Sequence, residues 1–590
     1  MLRLAILQLR PRKGAYQENL EHLGGQFREL AELDDPPELV LGPESALTGY
    51  FLEGGVRDLA LSAGQFYQDL ETQHQLSSAA PLDIAIGFYE VWRNQLYNSS
   101  LYATLGGSEA GIRHVHRKVF LPTYGVFDEE RFVEPGRTVE AFDTRWGRAA
   151  MLVCEDAWHS LAPTLAALDG AQVILIPSAT PARGLNPGDA STTRPANLSR
   201  WERLAQGIAE EHGVFVAVAH LVGFEGGKAF AGGSVVMGPR GNLIVRGPIF
   251  EPGVLQATLD FNEITRARAE QPLLSDLQAR WPHLIEGGDG NREKPATRVH
   301  APPSHPARPR MPITEEMSRE PLAIDTALTR RWLVEFLRDE VRRRRHFEKA
   351  IIGLSGGVDS SLVAYLAAEA LGPENVTAVR MPYRTSSAES LEHARIVVED
   401  LGIQSRTVDI SSAVDGLVDS IGGESSPGRR GNIMARIRMV TLFDLSAELD
   451  ALPIGTGNKT ERLFGYFTWH ADDSPPVNPI GDLFKTQVWA LARAIGVPDE
   501  IVDKPASADL CVGQTDEDDF GISYPKADEI LHWLLLGYDP SEISHAGFTG
   551  EEVKLVQHRL ESTHWKRRMP TVAMLSQTAI GEYYLRPVDY

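Results

Sequence analysis

Cysteine is nearly absent: residues 154 and 511 are the two in 590. A disulfide framework and a cysteine-based zinc site are thereby excluded, and any functional thiol acts alone. Cationic side chains are also short, 58 Lys and Arg against 80 Asp and Glu. The net charge of -22 has the wrong sign for broad nucleic-acid binding, which needs basic surface to displace counterions. No apolar run approaches the roughly 18 to 20 residues of a membrane span. The opening "MLRLAILQLRPRKG" has too short an apolar stretch before its arginines and proline for a signal peptide. The expectation is a cytoplasmic protein that binds neither nucleic acid nor membrane. The one basic run, Arg342 to Arg345, ends an amphipathic helical pattern and reads as a solvated face rather than a phosphate site.

What is present has an order. The length exceeds what one hydrophobic core supports, so two or more domains are expected. A Pro-, Gly- and charge-rich stretch without apolar periodicity runs from Glu286 to Leu322 and reads as a linker between domains at 1–285 and 323–590. Before it, β-branched and aliphatic runs such as "RLAILQL", "ELVLG", "DIAIGFY", "QVILIP" and "VFVAVAH" alternate with helical patterns, which predicts a layered α/β domain. After it, "KAIIGL" leads into a helix from Val358 and "VTAVRM" into one from Ser387, while "ALPIGT" leads into a polar loop. That alternation predicts a doubly wound parallel sheet whose ligands gather at the carboxyl ends of the strands.

"GLSGGVDSS", Gly353 to Ser361, fills the turn between the first of these strands and its helix. Glycines let backbone approach a phosphate, and the N–H groups and dipole of the helix start favour an anion. Asp359 in that turn would repel phosphate unless a cation stood between them, and so implies Mg²⁺. No lysine follows the glycines, so this is not the Walker pattern. A turn that merely fits helix to sheet would explain the glycines but not the serines and Asp359.

"SGGVDS" instead resembles the PP-loop of the ATP pyrophosphatases. Joined by "MPYRTSS", "GNIMARIRM", expected to open a helix, "GTGNKTERLFGYFT", "PIGDLFKTQV", "QTDEDD" and "HWKRRMP", it resembles the NAD synthetase family from about Leu322 to Tyr590. The resemblance implies an ATP cradle at Gly353, Leu354, Ser355, Gly356, Gly357, Val358, Asp359 and Ser360, with Thr456 also touching ATP. It makes Asp359 and Glu461 the magnesium ligands. Asn432, Arg436, Glu461, Asp472, Lys485 and Lys566 fall where the family holds deamido-NAD, and the acidic "QTDEDD" loop where it has a lid. Met434 and "WHADDSPPVNP" depart from the family's usual glutamine and glycine-rich segment.

Amide synthesis needs a nitrogen donor, because ammonia in neutral water is mostly ammonium. "AAMLVCEDAW" places Cys154 at the end of a buried strand. A lone cysteine there is an inert core residue unless a group takes its proton or steadies its thiolate. Glu44 of "GPESALTGY" and Lys118 of "HRKVFLPTYGVFDEERFVEPG" can do both as general base and as cation. The three segments, in this order, resemble the nitrilase superfamily over about Leu2 to Leu259. That resemblance implies an α-β-β-α sandwich and a Glu44, Lys118 and Cys154 triad. It places Tyr124 and Thr180 against a glutamine substrate, with Arg183 or Asn186 serving its carboxylate.

Together these readings imply ATP-dependent amidation of deamido-NAD with glutamine nitrogen, in a homo-oligomer. Two rivals are an ammonia-fed synthetase whose N-terminal half is a non-catalytic assembly module, and another PP-loop amidotransferase. "GTGNKTE" and "KRRMP" speak against the second.

Overall fold

The computed structural model describes residues 1–77, 80–185, 194–289, 313, 320–422, 426–506 and 515–568. Asn186 and Cys511 lie outside them. The described residues form two compact units, one within 1–184 and 194–289, the other comprising 185, 313 and 320–568.

The strands of the first unit are β1 (Leu2–Gln8), β2 (Leu39–Leu41), β3 (Leu82–Trp92), β4 (Gln95–Leu105), β5 (Gly111–Arg117), β6 (Ala141–Thr144), β7 (Gly147–Met151), β8 (Val173–Ser178), β9 (Phe215–His220), β10 (Val222–Glu225), β11 (Lys228–Ala231), β12 (Val235–Met237), β13 (Leu243–Arg246) and β14 (Gly253–Leu259). Two six-stranded sheets run β14-β1-β2-β3-β4-β5 and β13-β12-β9-β8-β7-β6, and β10 pairs with β11 in a hairpin. Each large sheet is parallel at its centre, β1-β2-β3 and β7-β8-β9, and antiparallel at its edges.

Alternation along β1 shows why its sequence is apolar almost throughout. Leu2, Leu4 and Ile6 pack between the sheets against Met151, Leu175 and Ala217, while Ala5 and Leu7 face helices Tyr16–Ala31 and Ala63–Gln75 through Leu23, Phe27 and Phe66. Buried on both faces, such a strand has no polar side. The second sheet is covered in the same way by helices Leu161–Leu168 and Ala196–His212, through Ala166, Trp201 and Ile208. This is the expected α-β-β-α sandwich.

The second unit holds β15 (Lys349–Gly353), β16 (Val376–Arg380), β17 (Gln404–Thr407) and β18 (Ala451–Ile454). All are parallel, in the order β17-β16-β15-β18. Helices Thr326–Arg338, Val358–Leu371 and Lys485–Ile495 cover one face. Helix Pro427–Leu449 covers the other, through Leu442 and Leu445 against Ile351, Val379 and Ala451. The doubly wound expectation is met. Strand order reverses between β15 and β18, which opens a crevice at their carboxyl ends.

Several local expectations change. "GNIMARIRM" lies inside helix Pro427–Leu449, whose start is set by Ser426, its hydroxyl accepting from Arg429 N. The helix Leu273–Asp289 runs past residue 285, four residues into the stretch read as linker. Arg342 to Arg345 are not simply solvated. Arg344 and Arg343 pair with Asp339, Arg345 with Glu340, and Arg342 donates to the carbonyl of Leu371. Among the described residues, no helix is long and apolar enough to cross a membrane.

Gly87 of β3 lies under the turn that follows β2. A Cβ there would meet Glu44 Cα at 2.6 Å and Pro43 O at 2.8 Å, and neither backbone atom can step aside cheaply. Gly87→Ala is expected to destabilise the first unit by about 1–3 kcal/mol, the usual cost of overpacking, as measured by urea denaturation.

Candidate functional site

In the first unit, three segments leaving strand ends meet. The turn after β2 supplies Glu44, the segment after β5 supplies Lys118, and Cys154 opens a 3₁₀ turn, Cys154–Trp158, three residues beyond β7. Both Ser45 and Cys154 hold positive φ, 51° and 45°, a conformation costly for residues with a Cβ and retained where surrounding contacts enforce it.

Asp156 enforces much of it. Its Oδ1 accepts from the backbone N–H groups of Val119 and Phe120 at 2.9 Å each, and its Oδ2 from Val153 N at 3.0 Å and His116 Nε2 at 2.8 Å. One buried carboxylate thus ties the lysine-bearing arm to the cysteine turn. Glu225, at the tip of the β10–β11 hairpin, does the same for the glutamate turn, accepting from Tyr50 N at 3.1 Å and Phe51 N at 2.8 Å.

The centre is dry and charged. Glu44 and Lys118 are fully buried and Cys154 nearly so. Lys118 Nζ donates to Glu44 Oε1 at 2.8 Å and to Glu129 Oε1 at 2.9 Å. Asn98 Nδ2 donates to the same two carboxylates at 2.7 and 3.1 Å. Tyr50 OH donates to Glu129, and Ala179 N donates to Glu44 Oε2 at 2.8 Å. Burial alone would lower the lysine, but Glu129 and Glu44 outweigh it and hold the ammonium well above its usual range. Burial pushes the Cys154 thiol up, Glu44 adding to the effect and Lys118 opposing it. Burial also raises Glu129, against the pull of Lys118. The resting thiol is therefore protonated beside a carboxylate able to take its proton.

Ser178 Oγ donates to Cys154 Sγ at 3.4 Å, and Thr180 Oγ1 lies 3.6 Å from the sulfur. Tyr124 OH donates to Glu155 at 3.0 Å, and burial with the Glu155 charge pushes its hydroxyl up to about 12. Arg183 lies beside it, its guanidinium 2.9 Å from where a Cβ on Gly125 would stand. A cavity of about 450 Å³ adjoins, walled by Tyr50, Phe51, Phe127, Glu129, Arg131 and Lys228. It touches Glu129, a partner of Lys118, rather than the thiol itself. Glu129, Asn98 and Tyr50 were not singled out by sequence. Asn98 to Ser100, a fully buried polar run between Tyr97 and Leu101, is the signal that could have found the asparagine.

In the second unit the glycine loop leaves β15, and Gly353 and Leu354 close the strand, Leu354 N donating to Val379 O. Ser355 Oγ and Ser360 Oγ are 3.0 Å apart, and Gly357 N donates to Ser355 Oγ at 3.2 Å. Gly356 has φ 80°, and a Cβ there would stand 2.0 Å from Ser390 O. Helix Val358–Leu371 starts without a side-chain cap, leaving its first N–H groups directed outward.

Across the switch point, the loop after β18 carries Thr456 and leads to Asn458, which caps the short helix Lys459–Phe464. Asn458 Nδ2 donates to Asp359 Oδ1 at 3.0 Å. Lys485, buried, pairs with Asp359 and lies 4.0 Å from Glu461 Oε1. Burial and the Asp359 charge raise Glu461 well above the usual carboxylate range, despite Lys485. This crowding of negative charge at a phosphate-type loop suits a hard cation with oxygen ligands. Among the described residues no group of three or more His, Cys, Asp or Glu has metal-binding spacing. Mg²⁺ held by one or two carboxylates together with substrate phosphates requires none.

Asn432, Arg436, Asp472 and Lys566 gather at a separate turn, 465–472. Asn432 Oδ1 accepts from Thr468 Oγ1, Arg436 donates to Trp469 O, Asp472 accepts from Thr468 N, and Lys566 donates to Gly465 O and Phe467 O. The acidic stretch expected in a lid forms, from Asp516, a short helix Asp516–Phe520 with Phe520 in the core and Asp516 buried against Tyr524 OH at 2.9 Å. An apolar anchor one turn along holds it down. The residues before Thr515 in that loop lie outside the described ones.

Comparison with known proteins assigns residues 3–269 to the carbon-nitrogen hydrolase family and 329–570 to the NAD synthase family. The glutamine-dependent NAD(+) synthetase of Thermotoga maritima is 31% identical over 606 aligned positions, covering 100% of this chain and 98% of that one. The NH(3)-dependent NAD(+) synthetase of Trichlorobacter lovleyi is 49% identical over 275 residues, 46% of this chain and 99% of its own. In fold, the chain resembles the glutamine-dependent NAD+ synthetase of Acinetobacter baumannii solved with ADP, with TM-score 0.69, 21% identity, and coverage of 100% and 98%.

Removing the cation between two buried carboxylates should be costly. Lys118→Met is expected to lose about 3–5 kcal/mol of stability. Glu129, already raised, would rise further in the folded variant. Its protonation then favours the folded state, so the deficit is full above the folded pKa and shrinks as pH falls toward the ordinary carboxylate range. Denaturant titrations of wild type and variant at pH 7.5 and 5 measure both.

Proposed function

The chain belongs to the glutamine-dependent NAD(+) synthetase family, and from that membership we propose how its own residues divide the work. The observation that carries the reading is the contact of Lys118 with Glu44 beside a strained, buried Cys154, together with a glycine loop whose Asp359 meets Lys485 near Glu461. The first argues for a working amidase rather than an assembly module.

In the first unit, Glu44 takes the thiol proton as Sγ attacks the amide carbon of glutamine. The C–N bond breaks, the proton leaves with ammonia, and a thioester remains. Water, deprotonated by Glu44, hydrolyses it to glutamate. The Lys118 ammonium, held charged by two carboxylates, faces the oxyanion that forms in each step. Tyr124, Thr180 and Arg183 orient the substrate.

In the second unit, the backbone of Ser355 to Ser360 cradles the phosphates of ATP, with Thr456 at their side. The nicotinate carboxylate of deamido-NAD attacks the α-phosphorus and pyrophosphate leaves. Ammonia then displaces AMP to give NAD(+). Asp359 and Glu461 would hold Mg²⁺, which supplies charge neutralisation of the phosphates when bound. Lys485 adds a second positive charge, while Asn432, Arg436, Asp472 and Lys566 hold the dinucleotide. A homo-oligomer belongs to this reading, since closed symmetry repeats equivalent contacts, and sedimentation of the purified protein tests it.

Supplied with ATP, Mg²⁺ and deamido-NAD, the Cys154→Ala variant should make no NAD(+) from glutamine and retain synthesis from ammonium. Equal loss of both would sink the division of labour. Asp359→Asn and Glu461→Gln should each slow synthesis from either nitrogen source by at least about tenfold, the lower end of what even outer-shell partners of a metal contribute. Unchanged Mg²⁺ dependence in both would move the metal elsewhere.

A further inference from the structure

Asp528 belongs to neither set of residues used above, yet it is a carboxylate with no solvent exposure. It lies on helix Tyr524–Leu535, one turn after Tyr524. Its Oδ1 accepts from Thr460 Oγ1 at 2.5 Å, and its Oδ2 from Thr486 N at 2.9 Å and Thr486 Oγ1 at 2.8 Å. Thr460 Oγ1 in turn accepts from Lys485 N at 3.1 Å. Four hydrogen bonds therefore join the residue before Glu461 to Lys485 and the residue after it. Asp359 bridges the same two helix starts from the loop side, through Asn458 and Lys485; Asp528 does so from the core side.

Such a clamp is an expensive way to pack a helix. Burial raises the Asp528 carboxyl to about 6, against the bonds from Thr460 and Thr486. A folded value above the unfolded one means that its stabilising contribution is present below the unfolded pKa and lost as pH rises through 6. At neutral pH the charged aspartate works against folding, where an apolar side chain of similar size would not. What the carboxylate supplies is geometry: two acceptors fixed on one rigid helix, directed at two elements that each carry a charged residue of the nucleotide site in the first turn, Glu461 and Lys485. The same helix holds Asp516 through Tyr524 OH.

We propose that Asp528 is a positioning residue that sets Glu461 and Lys485 in register with each other for ATP-dependent chemistry, without touching substrate itself. The proposal rests on the ATP-site reading given above. Asp528→Asn keeps the shape but gives the clamp one acceptor and one donor: the oxygen can stay with Thr486 only if Thr460 Oγ1 turns from donor to acceptor, so the bond to the residue before Glu461 reverses and both sides lose the charged acceptor. Thr486→Ala removes one hydroxyl and leaves the carboxylate, and Thr486→Ser restores the hydroxyl.

The test is ammonium-supported synthesis of NAD(+) by the full chain, with ATP and Mg²⁺ titrated separately. Asp528→Asn should lower kcat by roughly 10–100-fold, the range typical of residues that orient a metal or phosphate site, and raise the Mg²⁺ concentration for half-maximal rate. Its resistance to urea at pH 7.5 should equal or exceed that of wild type. Thr486→Ala should show the same defect more weakly, with Thr486→Ser restoring it. Glutamine hydrolysis without ATP and deamido-NAD should be unchanged throughout. Folded Asp528→Asn and Thr486→Ala proteins within twofold of wild type in kcat and Mg²⁺ dependence would overturn the proposal. Should Asp528→Asn fail to fold, the Thr486 pair decides alone. A wild-type protein inactive with ammonium would instead overturn the ATP-site reading.

Discussion

An ammonium group taken out of water survives only if carboxylates replace its hydration, and each unit is organised round one such lysine. Lys118 sits between Glu44 and Glu129, and Lys485 between Asp359 and Glu461. In both places one carboxylate is left carrying a burden: burial raises Glu129 in the first unit and Glu461 in the second, and the single cation beside each does not cancel it. That imbalance marks both places. In the first unit it steadies a permanently charged cation beside a neutral thiol. In the second it leaves negative charge for which a divalent cation is the natural complement.

Holding such groups needs rigid supports, and the fold provides them with carboxylates that bind backbone. Asp156 and Glu225 each gather N–H groups from a turn that carries one of the clustered residues. The clustered side chains then occupy strand ends, where the chain leaves the sheet and backbone conformation is free to be unusual. Positive φ at Ser45 and Cys154, costly for residues with a Cβ, falls at these exits, where such anchors hold it.

Much of this was legible in the sequence. Strands buried on both faces announce themselves as apolar runs, and glycine beside serine and aspartate between a strand and a helix has few other uses. Glu44, Lys118 and Cys154 could be named because each stands beside such a run. Glu129 could not: it lies eleven residues past Lys118 in a loop without periodicity, and nothing in "FDEERF" marks one of three acids as buried. The acidic stretch "QTDEDD" hid its fixed point in the same way: Phe520, just past it, lies in the core, and Asp516 is met by Tyr524 OH. Asp528 was equally silent, since its partners are two threonines whose hydroxyls say nothing until the helices are placed. Composition reports which surfaces are apolar, but not which polar atoms face one another across the core.

The state of Cys154 has a consequence for the chemical durability of the protein. Peroxide and alkylating agents react with thiolates, and this sulfur is enclosed, protonated and hydrogen-bonded to Ser178. On the proposed reading the nucleophile is armed only when a carbonyl carbon arrives to accept its electrons as Glu44 removes the proton. At rest the sulfur has the inertness of a core residue, and exposed thiols would be modified before it.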